Sequence, residues 1–229
     1  MRISRTGVDK YSECPRCFHL QYVKGLKRPP GYPFSLNNTV DALLKKEFDT
    51  HRAAGTQHPA QLTFGTDLRP AQHEQINRWR TNRSGVEFVD EHREITWFGA
   101  IDDLWIDSQG LYYVVDYKAT GKLQPVLNMD PDWMSGYKRQ AEFYQFLLRK
   151  NGLEVSDRAY FLYCTGDRSR AVFNEEIKFH SELIAYDGST EWIESTLDQV
   201  VSTLALEESP AANEECNYCK YVNERNSIN

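Results

Sequence analysis

The fold is decided by the stretch FGAIDDLWIDSQGLYYVVDYKATGK, residues 98–122. β-branched and aromatic residues fill both of its halves, and Ser108-Gln109-Gly110 separates them, a pattern that predicts two consecutive strands joined by a turn. Asp116 and Lys118 are two positions apart on the second strand, so we expect their side chains to point to the same face. Asp102 lies on the first strand. The stretch therefore predicts two acids and one lysine on neighbouring strands.

These three side chains have the chemistry of a metal site. A carboxylate and an ammonium at the end of an apolar strand are costly to bury unless another charge compensates them. A divalent cation such as Mg²⁺ or Mn²⁺, held by Asp102 and Asp116, would compensate the acids, polarise a phosphate and lower the pKa of a bound water. The Lys118 ammonium would then orient that water or stabilise charge that develops on phosphorus. The alternative is an ordinary ion pair at a strand end.

Helical and strand patterns continue on both sides of this stretch. Ser35–Ala54 has a polar start suited to capping, and its apolar residues Val40, Leu43, Leu44 and Phe48 have the spacing of one helical face. Further strands are predicted at 86–91, 157–164 and 171–179, and further helices at 136–150 and 189–206. With a three-strand meander over residues 86–118, this order predicts an α/β sandwich around a mixed central sheet.

Composition limits the class of protein. At 229 residues with 40% hydrophobic residues, the chain can bury a full core, and we expect one domain over residues 1–229. No apolar run approaches the roughly 20 residues of a membrane span, and the first residues lack the apolar core of a secretory signal, so we expect a cytoplasmic protein with no membrane partner. The net charge of −6 is unusual for a partner of nucleic acid, but bound cations would cancel part of it.

Three motifs, taken together, resemble one nuclease family. They are G-A-I-D at 99–102, V-V-D-Y-K-A-T-G-K at 114–122 and Q-A-E-F-Y at 140–144. Their order and spacing are similar to the PD-(D/E)XK nuclease superfamily, in particular to its branch around the RecB nuclease domain and the CRISPR-associated nucleases of spacer acquisition. The resemblance implies a restriction-endonuclease-like three-layer sandwich, with a mixed central β-sheet flanked by helices.

The resemblance also implies an activity. Asp102 and Asp116 would bind Mg²⁺ or Mn²⁺, Lys118 would be the catalytic lysine, and the Tyr117 carbonyl would be a further metal ligand. The enzyme would hydrolyse phosphodiester bonds in single-stranded or end-bearing DNA, with exonuclease favoured over endonuclease action. Repair, recombination and CRISPR adaptation are the processes that the resemblance suggests, with DNA and other subunits of such a complex as partners.

The motif that contains Gln140 and Tyr144 corresponds to the family's Q-x-x-x-Y helix. Residues four apart share a helix face, so both side chains can reach one edge of the site, and the resemblance implies contact with DNA or with the strands of the site. One departure concerns the first helix, where relatives place a histidine ligand after an aliphatic residue and this chain has Val40-Asp41. Asp41 suits Mg²⁺ better than an imidazole does, and Glu47 is the alternative ligand.

Two C-x-x-C pairs lie near the ends of the chain, in residues 1–30 and 210–229. They are Cys14 with Cys17 and Cys216 with Cys219. In a cytosolic chain this spacing indicates a metal centre that joins the two ends, not disulfides. Tetrahedral Zn²⁺ fits two such pairs, whereas the family resemblance implies a [4Fe-4S] cluster, whose usual arrangement is one plus three cysteines. Both metals stay open, and Cys164 is predicted to be a core residue.

A long connection follows the second strand of the quoted stretch. It runs from Ala119 to Ser135 and contains Pro125, Pro131 and Trp133. Its length predicts a loop over the site that guides a strand of DNA. An aromatic residue there could stack on a base or join the core.

Two classes of function stay open on this reasoning. One is an active nuclease, and the other is a catalytically inactive DNA-binding or scaffold subunit of a larger nucleoprotein complex. The complete set of two acids and one lysine favours the enzyme, because an inactive module has no need to keep all three in register.

Overall fold

The computed structural model describes residues 1–31, 35–122, 124 and 126–228. Contacts divide the chain into two compact units. The terminal unit comprises Met1–Tyr32, Val89–Phe98 and Glu191–Asn229, and the central unit comprises Pro33–Phe88 and Gly99–Thr190. One domain over residues 1–229 stays a prediction, and Pro125 of the predicted loop lies outside the described residues. In the part of the chain that is described, no helix has the length and apolar character that crossing a bilayer demands.

The helices and strands alternate along the chain. The helices are α1 (Arg5–Glu13), α2 (Pro15–Tyr22), α3 (Ser35–Ala54), α4 (Pro59–Thr63), α5 (Ile76–Trp79), α6 (Ser135–Lys150), α7 (Glu191–Leu204) and α8 (Asn217–Ile228). The strands are β1 (Arg2–Ser4), β2 (Arg69–Pro70), β3 (Val86–Asp90), β4 (Ile95–Gly99), β5 (Asp103–Ile106), β6 (Tyr112–Thr120), β7 (Arg158–Gly166) and β8 (Phe179–Asp187). A turn of 3-10 helix, Asp132–Met134, leads into α6. The three predicted helices are confirmed as α3, α6 and α7.

The central unit is built on a mixed sheet in the order β2-β5-β6-β7-β8. β6 lies in the centre, antiparallel to β5 and parallel to β7. Val115 and Tyr117 of β6 face a core that includes Phe48 of α3, whereas Asp116 between them contacts α6 on the other face. Helices therefore cover both faces, and the predicted α/β class with a mixed sheet flanked by helices is confirmed.

Aromatic packing orients α3 on the sheet. The Phe48 ring lies 5.4 Å from the rings of both Trp105 and Tyr117, and 4.0 Å from the His58 ring. Burying one ring of this size stabilises the fold by about 1.5–3 kcal/mol. Leu43, which we expected on the same face, is 57% exposed. At 3.6 residues per turn it lies about 140° around the helix from Phe48, and therefore on the solvent side.

The predicted three-strand meander is wrong, because its second strand is divided into β4 and β5, which belong to different sheets. The chain leaves β4 at Gly99, where Gly85, with a φ of 66°, approaches so closely that a Cβ would lie 2.6 Å from the Gly99 carbonyl oxygen. The Ile101 amide then donates to the Trp79 carbonyl at 3.1 Å. Asp102 therefore lies in the break between two strands and not within a strand.

The strand predicted at 171–179 is also wrong, since β8 begins at Phe179. Asn174 and Glu175 have φ values of 45° and 59°, in the left-handed region that a strand does not contain. β8 is an edge strand in which Ile184 alone is buried, so it carries little of the apolar alternation that marks a strand in sequence.

The terminal unit joins β1 to β4 in a parallel pair, with Ile3 opposite Trp97, and the sheet has the order β1-β4-β3. Asp90 accepts hydrogen bonds from Trp97 Nε1 at 3.1 Å and from Arg93 Nη1 at 2.7 Å. Arg93 Nη1 also donates to Glu194 of α7 at 2.9 Å. These partly buried bonds hold α7 against the sheet.

Candidate active site and cysteine centre

Asp116 and Lys118 lie on one face of β6 near its carboxyl end, as predicted. Lys118 Nζ pairs with Asp116 Oδ2, and Asp116 is 1% exposed. From α6, Gln140 Nε2 donates to Asp116 Oδ1 at 2.8 Å and to the Tyr144 hydroxyl at 3.2 Å. The structure thus brings the residues of the Q-x-x-x-Y motif to the acid–lysine pair.

Asp102 joins this group through the backbone of β6. Its Oδ2 accepts a hydrogen bond at 3.1 Å from the amide of Tyr117, the residue between Asp116 and Lys118. The two predicted acids therefore meet at the end of one strand. The Tyr117 side chain turns to the opposite face, where its hydroxyl donates to Asp103 Oδ2 at 2.6 Å. A ligand role for the Tyr117 carbonyl stays a prediction.

Asp103 is a structural acid with no exposed surface. Arg52 Nη2 and Arg80 Nη2 each donate to its Oδ1 at 2.5 Å. These two guanidinium groups, with the Tyr117 hydroxyl, offset the cost of burying the carboxylate. The adjacent acids thus have different surroundings: Asp102 contacts the site, and Asp103 holds the core together.

Helix α3 brings an acid and an unpredicted lysine to the site. Lys45 Nζ lies 2.9 Å from Asp41 Oδ2 and 3.3 Å from Asp102 Oδ1. Asp41 Oδ1 is buried and accepts no hydrogen bond from any described residue. Glu47, the alternative ligand, lies 3.0 Å from His58 Nε2 instead. The i,i+4 spacing of Asp41 and Lys45 is the sequence signal that could have identified Lys45.

The surroundings of these groups shift their protonation. Burial raises the pKa of Asp116 to about 7, a shift that Lys118 opposes and Asp102 increases. Burial and the Asp102 carboxylate likewise raise the pKa of Asp41. Burial lowers the pKa of Lys118, but Asp116 and Asp102 outweigh it, so that pKa is raised and the ammonium stays charged. Crowded acids of this kind are stabilised in their ionised form by a cation.

The donor set fits a hard divalent cation. Mg²⁺ and Mn²⁺ take carboxylate and carbonyl oxygens, and Asp41 Oδ1 is a buried oxygen without a partner among the described residues. The carboxylates do not converge as they stand, because only the cysteine group brings three or more potential ligand side chains within 4.8 Å of one another in the described ranges. A metal that bound both Asp41 and Asp102 would have to displace the Lys45 ammonium between them.

The four terminal cysteines form a cluster in the terminal unit. Cys17 Sγ lies 3.6 Å from Cys216 Sγ and 3.7 Å from Cys219 Sγ, and Cys14 Sγ lies 3.9 Å from Cys219 Sγ. All four sulfur atoms lie within 4.8 Å of one another. The predicted joining of the two C-x-x-C pairs is confirmed, and Cys164 is buried in β7, as expected of a core residue.

Both cysteine pairs lie where a helix begins. Cys14 precedes α2 and Cys216 precedes α8, and the second cysteine of each pair lies in the first helical turn. A helix N-terminus favours a thiolate, which is the form that binds metals. Burial raises the pKa of Cys216, but hydrogen bonds from the Cys219 backbone and the other thiols lower it to about 7 overall. Arg28 Nη2 adds a positive charge 3.7 Å from Cys216 Sγ.

Comparison with known proteins agrees with this geometry. No curated protein matches the chain. A family model described as the PD-(D/E)XK nuclease superfamily matches residues 2–223, which is nearly the whole chain. The chain therefore belongs to the PD-(D/E)XK nuclease superfamily.

Proposed function

We propose that the chain is a Mg²⁺- or Mn²⁺-dependent nuclease that hydrolyses phosphodiester bonds in DNA. Asp102, Asp116 and Lys118 meet at the end of β6 in a member of a nuclease superfamily, and this meeting is the observation that supports the proposal. Gln140 Nε2 of α6 donates a hydrogen bond to Asp116 Oδ1 and so fixes the position of that oxygen. The intact set favours the enzyme over the alternative, an inactive DNA-binding or scaffold subunit.

Each side chain has a distinct role in this proposal. When bound, the metal supplies a Lewis acid for the scissile phosphate and lowers the pKa of a bound water. Asp102 and Asp116, with Asp41 from α3, supply the carboxylate oxygens that hold it. Gln140 keeps the Asp116 carboxylate in one orientation. Lys118, nearly buried and charged, stabilises negative charge on the phosphate oxygens or orients the attacking water.

We propose single-stranded or end-bearing DNA as the substrate, with exonuclease action. The likeness of the motifs to the RecB nuclease domain and to CRISPR-associated nucleases of spacer acquisition supports this finer assignment. It also supports a role in repair, recombination or CRISPR adaptation, in which other subunits would be partners.

Asp41 is our choice over Glu47 as the α3 ligand, because Lys45 already joins Asp41 to Asp102 whereas Glu47 lies against His58. Mn²⁺ titration of Asp41→Asn and Glu47→Gln compares them. We expect weaker Mn²⁺ binding in Asp41→Asn alone. Weaker binding in Glu47→Gln alone would reverse the assignment.

Nuclease action is tested by comparing Asp116→Asn and Lys118→Met with the natural chain. Labelled single-stranded and duplex DNA are incubated with each protein in Mn²⁺, and the products are separated on a gel. We expect cleavage to fall by about a hundredfold or more in both variants, because metal and ammonium each supply several kcal/mol of transition-state stabilisation.

The control for this comparison is Asp187→Asn, which removes an exposed acid that pairs with Arg158 at the end of β8. It should cleave at the natural rate. Equal cleavage by all the proteins, or cleavage by none with DNA binding retained, would favour the inactive subunit instead.

At the cysteine centre we propose one structural Zn²⁺. A tetrahedral ion with Zn–S bonds of about 2.3 Å separates its sulfur ligands by about 3.8 Å. Three sulfur separations of 3.6–3.9 Å, with all four sulfurs within 4.8 Å of one another, support a single shared ion of this kind. A [4Fe-4S] cluster, the runner-up, binds each thiolate to a different iron and so holds the sulfurs farther apart.

Metal analysis by mass spectrometry distinguishes the two metals. We expect about one zinc per chain in the purified protein and a colourless solution. Stoichiometric iron with a brown colour and absorption near about 400 nm would establish the iron–sulfur cluster instead.

A further inference from the structure

Two aromatic rings in contact, with a lysine at each end, form a row that leads away from Lys118. Lys118 Nζ lies 4.7 Å from the centre of the Tyr137 ring. The Tyr137 ring meets the Trp133 ring edge to face, with centroids 6.2 Å apart and an interplanar angle of 85°. Lys122 Nζ lies 3.3 Å from the centre of the Trp133 ring. We call Lys118, Tyr137, Trp133 and Lys122 the aromatic row.

Local folding places the two rings of the row next to the Q-x-x-x-Y motif, with Tyr137 on α6 and Trp133 in the 3-10 turn that leads into α6. Trp133, Tyr137, Gln140 and Tyr144 follow one another at spacings of four, three and four residues, which keep them on one face of a helix. The 3-10 turn that holds Trp133 is anchored by Met134, which is 1% exposed. Helical spacing and the buried Met134 therefore fix where Trp133 and Tyr137 lie relative to Asp116 and Lys118.

Trp133 differs from the tryptophans of the strands. Trp97 and Trp105 have no exposed surface, whereas Trp133 is 51% exposed although its ring lies between Lys122 and Tyr137. Lys122 is itself exposed, so its flexible side chain can leave the ring without breaking core packing. Half of a large aromatic surface is thus available at one end of the row, with an ammonium next to it.

We propose that the aromatic row binds a single strand of nucleic acid and directs it to Lys118. An unpaired base would stack on Trp133, and the Lys122 ammonium would move from the ring to a backbone phosphate. A base pair inside a duplex cannot use this surface, because both of its faces are already covered by neighbouring base pairs, and a blunt duplex leaves one free face only at each end. This inference rests on the proposed nuclease function and specifies its substrate as unpaired DNA.

Binding measurements on the full chain test the inference. All proteins carry Asp116→Asn, so that the DNA stays intact, and fluorescence anisotropy reports Kd for a labelled oligothymidylate and for a blunt duplex. Trp133→Ala should raise the single-strand Kd by about 5- to 150-fold, the range that one lost base–aromatic stack predicts. The duplex Kd should change by less than about twofold, and Trp133→Phe should restore most of the single-strand affinity.

The matched control is Leu127→Ala, an apolar residue in the same connection that is 71% exposed. It should bind both DNAs as the Asp116→Asn parent does. If Trp133→Ala and Leu127→Ala have the same single-strand Kd, or if Trp133→Ala weakens duplex binding equally, the inference is wrong. Melting temperatures check that each variant is folded, and we expect only a small loss of stability in Trp133→Ala because half of the ring is exposed.

The test separates this inference from the proposed function. If the natural chain cleaves DNA but Trp133→Ala binds single strands normally, the aromatic row is refuted and the nuclease stands. If the natural chain does not cleave DNA but Trp133→Ala loses single-strand affinity, the row stands and the nuclease is refuted.

Discussion

The two candidate metal sites of this chain prepare their ligands in opposite ways. In the terminal unit, the four cysteine sulfurs already lie within 4.8 Å of one another, with three of the separations at 3.6–3.9 Å, close enough to share one ion. In the central unit, the carboxylates of Asp41 and Asp102 have Lys45 between them, and Asp116 is paired with Lys118. Thiols of ordinary pKa are mostly neutral at neutral pH and so can lie together without a counter-ion, whereas carboxylates of ordinary pKa are charged, and crowding them raises their pKa unless a cation lies nearby.

This difference indicates different uses of metal. A thiol cluster near both ends of the chain gains most from an ion that stays bound, because the ion closes a loop of nearly the whole sequence. The carboxylate site carries its own cations, Lys45 and Lys118, so its acids lie close together without a metal. We therefore expect metal at the cysteines to determine stability and metal at the carboxylates to determine activity.

The largest effect should come from breaking the cysteine centre with Cys17→Ser. The free energy of unfolding should fall by several kcal/mol, since a structural zinc contributes about 10–16 kcal/mol of binding free energy to folding in small zinc domains. Metal analysis and thermal melting measure the two consequences together. Cys164→Ser, which changes a buried thiol of β7, is the control and should keep its metal. A Cys17→Ser protein that melts like the natural chain would show that the centre holds no structural metal.

The second effect compares two adjacent acids of the central unit. Asp103→Asn should lower the free energy of unfolding by about 3–5 kcal/mol, because it removes the buried counter-charge of Arg52 and Arg80 and leaves them the half-exposed Asp49 carboxylate. Asp102→Asn should cost less than about 1 kcal/mol, because Asp102 is partly exposed and Lys45 keeps Asp41 as a partner.

Urea unfolding of both variants measures this difference in stability, and a DNA cleavage assay measures their difference in activity. Cleavage should be lost in Asp102→Asn, which removes a proposed metal ligand. If Asp102→Asn is the more destabilised variant, the assignment of Asp102 to the site and Asp103 to the core is wrong.

Sequence periodicity predicted the parts of the site that depend on local geometry. A period of two placed Asp116 and Lys118 on one face of β6, and a period of 3.6 gave α3 its bounds and put Gln140 and Tyr144 together on α6. The spacing of the C-x-x-C pairs likewise predicted the cysteine cluster.

The parts that sequence did not predict depend on contacts between distant segments. The division of one predicted strand at Gly99 follows from the close approach of Gly85, which no local pattern records. In sequence, Asp103 is indistinguishable from Asp102, and its structural role follows only from its contacts with Arg52 and Arg80. No local pattern marks Lys45 as a site residue, because a lysine on a helix is ordinarily solvated.

A smaller effect should follow from Lys45→Met, which keeps the aliphatic stem but removes the ammonium between Asp41 and Asp102. Mn²⁺ should then bind about fivefold more tightly, because the ion no longer has to displace ion pairs worth about 1 kcal/mol in all. Isothermal titration or the Mn²⁺-induced rise in melting temperature measures the change. Lys46→Met, at the exposed neighbouring position, should leave the affinity unchanged. Weaker Mn²⁺ binding in Lys45→Met would mean that Lys45 supports the metal site and does not compete with it.

The smallest effect should be a pH-dependent loss of stability at His58, which contacts Glu47 of α3 and lies apart from the metal site at Asp41. His58 caps α4 by accepting a hydrogen bond from the Ala60 amide at its Nδ1, at 3.0 Å, and this nitrogen can accept only when it carries no proton. Burial lowers the pKa of His58, although Glu47 opposes the shift. The stability that this cap contributes is therefore present above the unfolded pKa of about 6.5, and it is lost as the pH falls through the lower folded pKa. The loss should be about 1 kcal/mol, and His58→Asn, which keeps a capping oxygen that does not titrate, should abolish it. Melting curves at about pH 7.5 and about pH 5 measure this loss of stability in the natural chain and in His58→Asn. Mn²⁺ affinity at about pH 7.5 should be equal in both proteins, because His58 pairs with Glu47 whereas Asp41 pairs with Lys45.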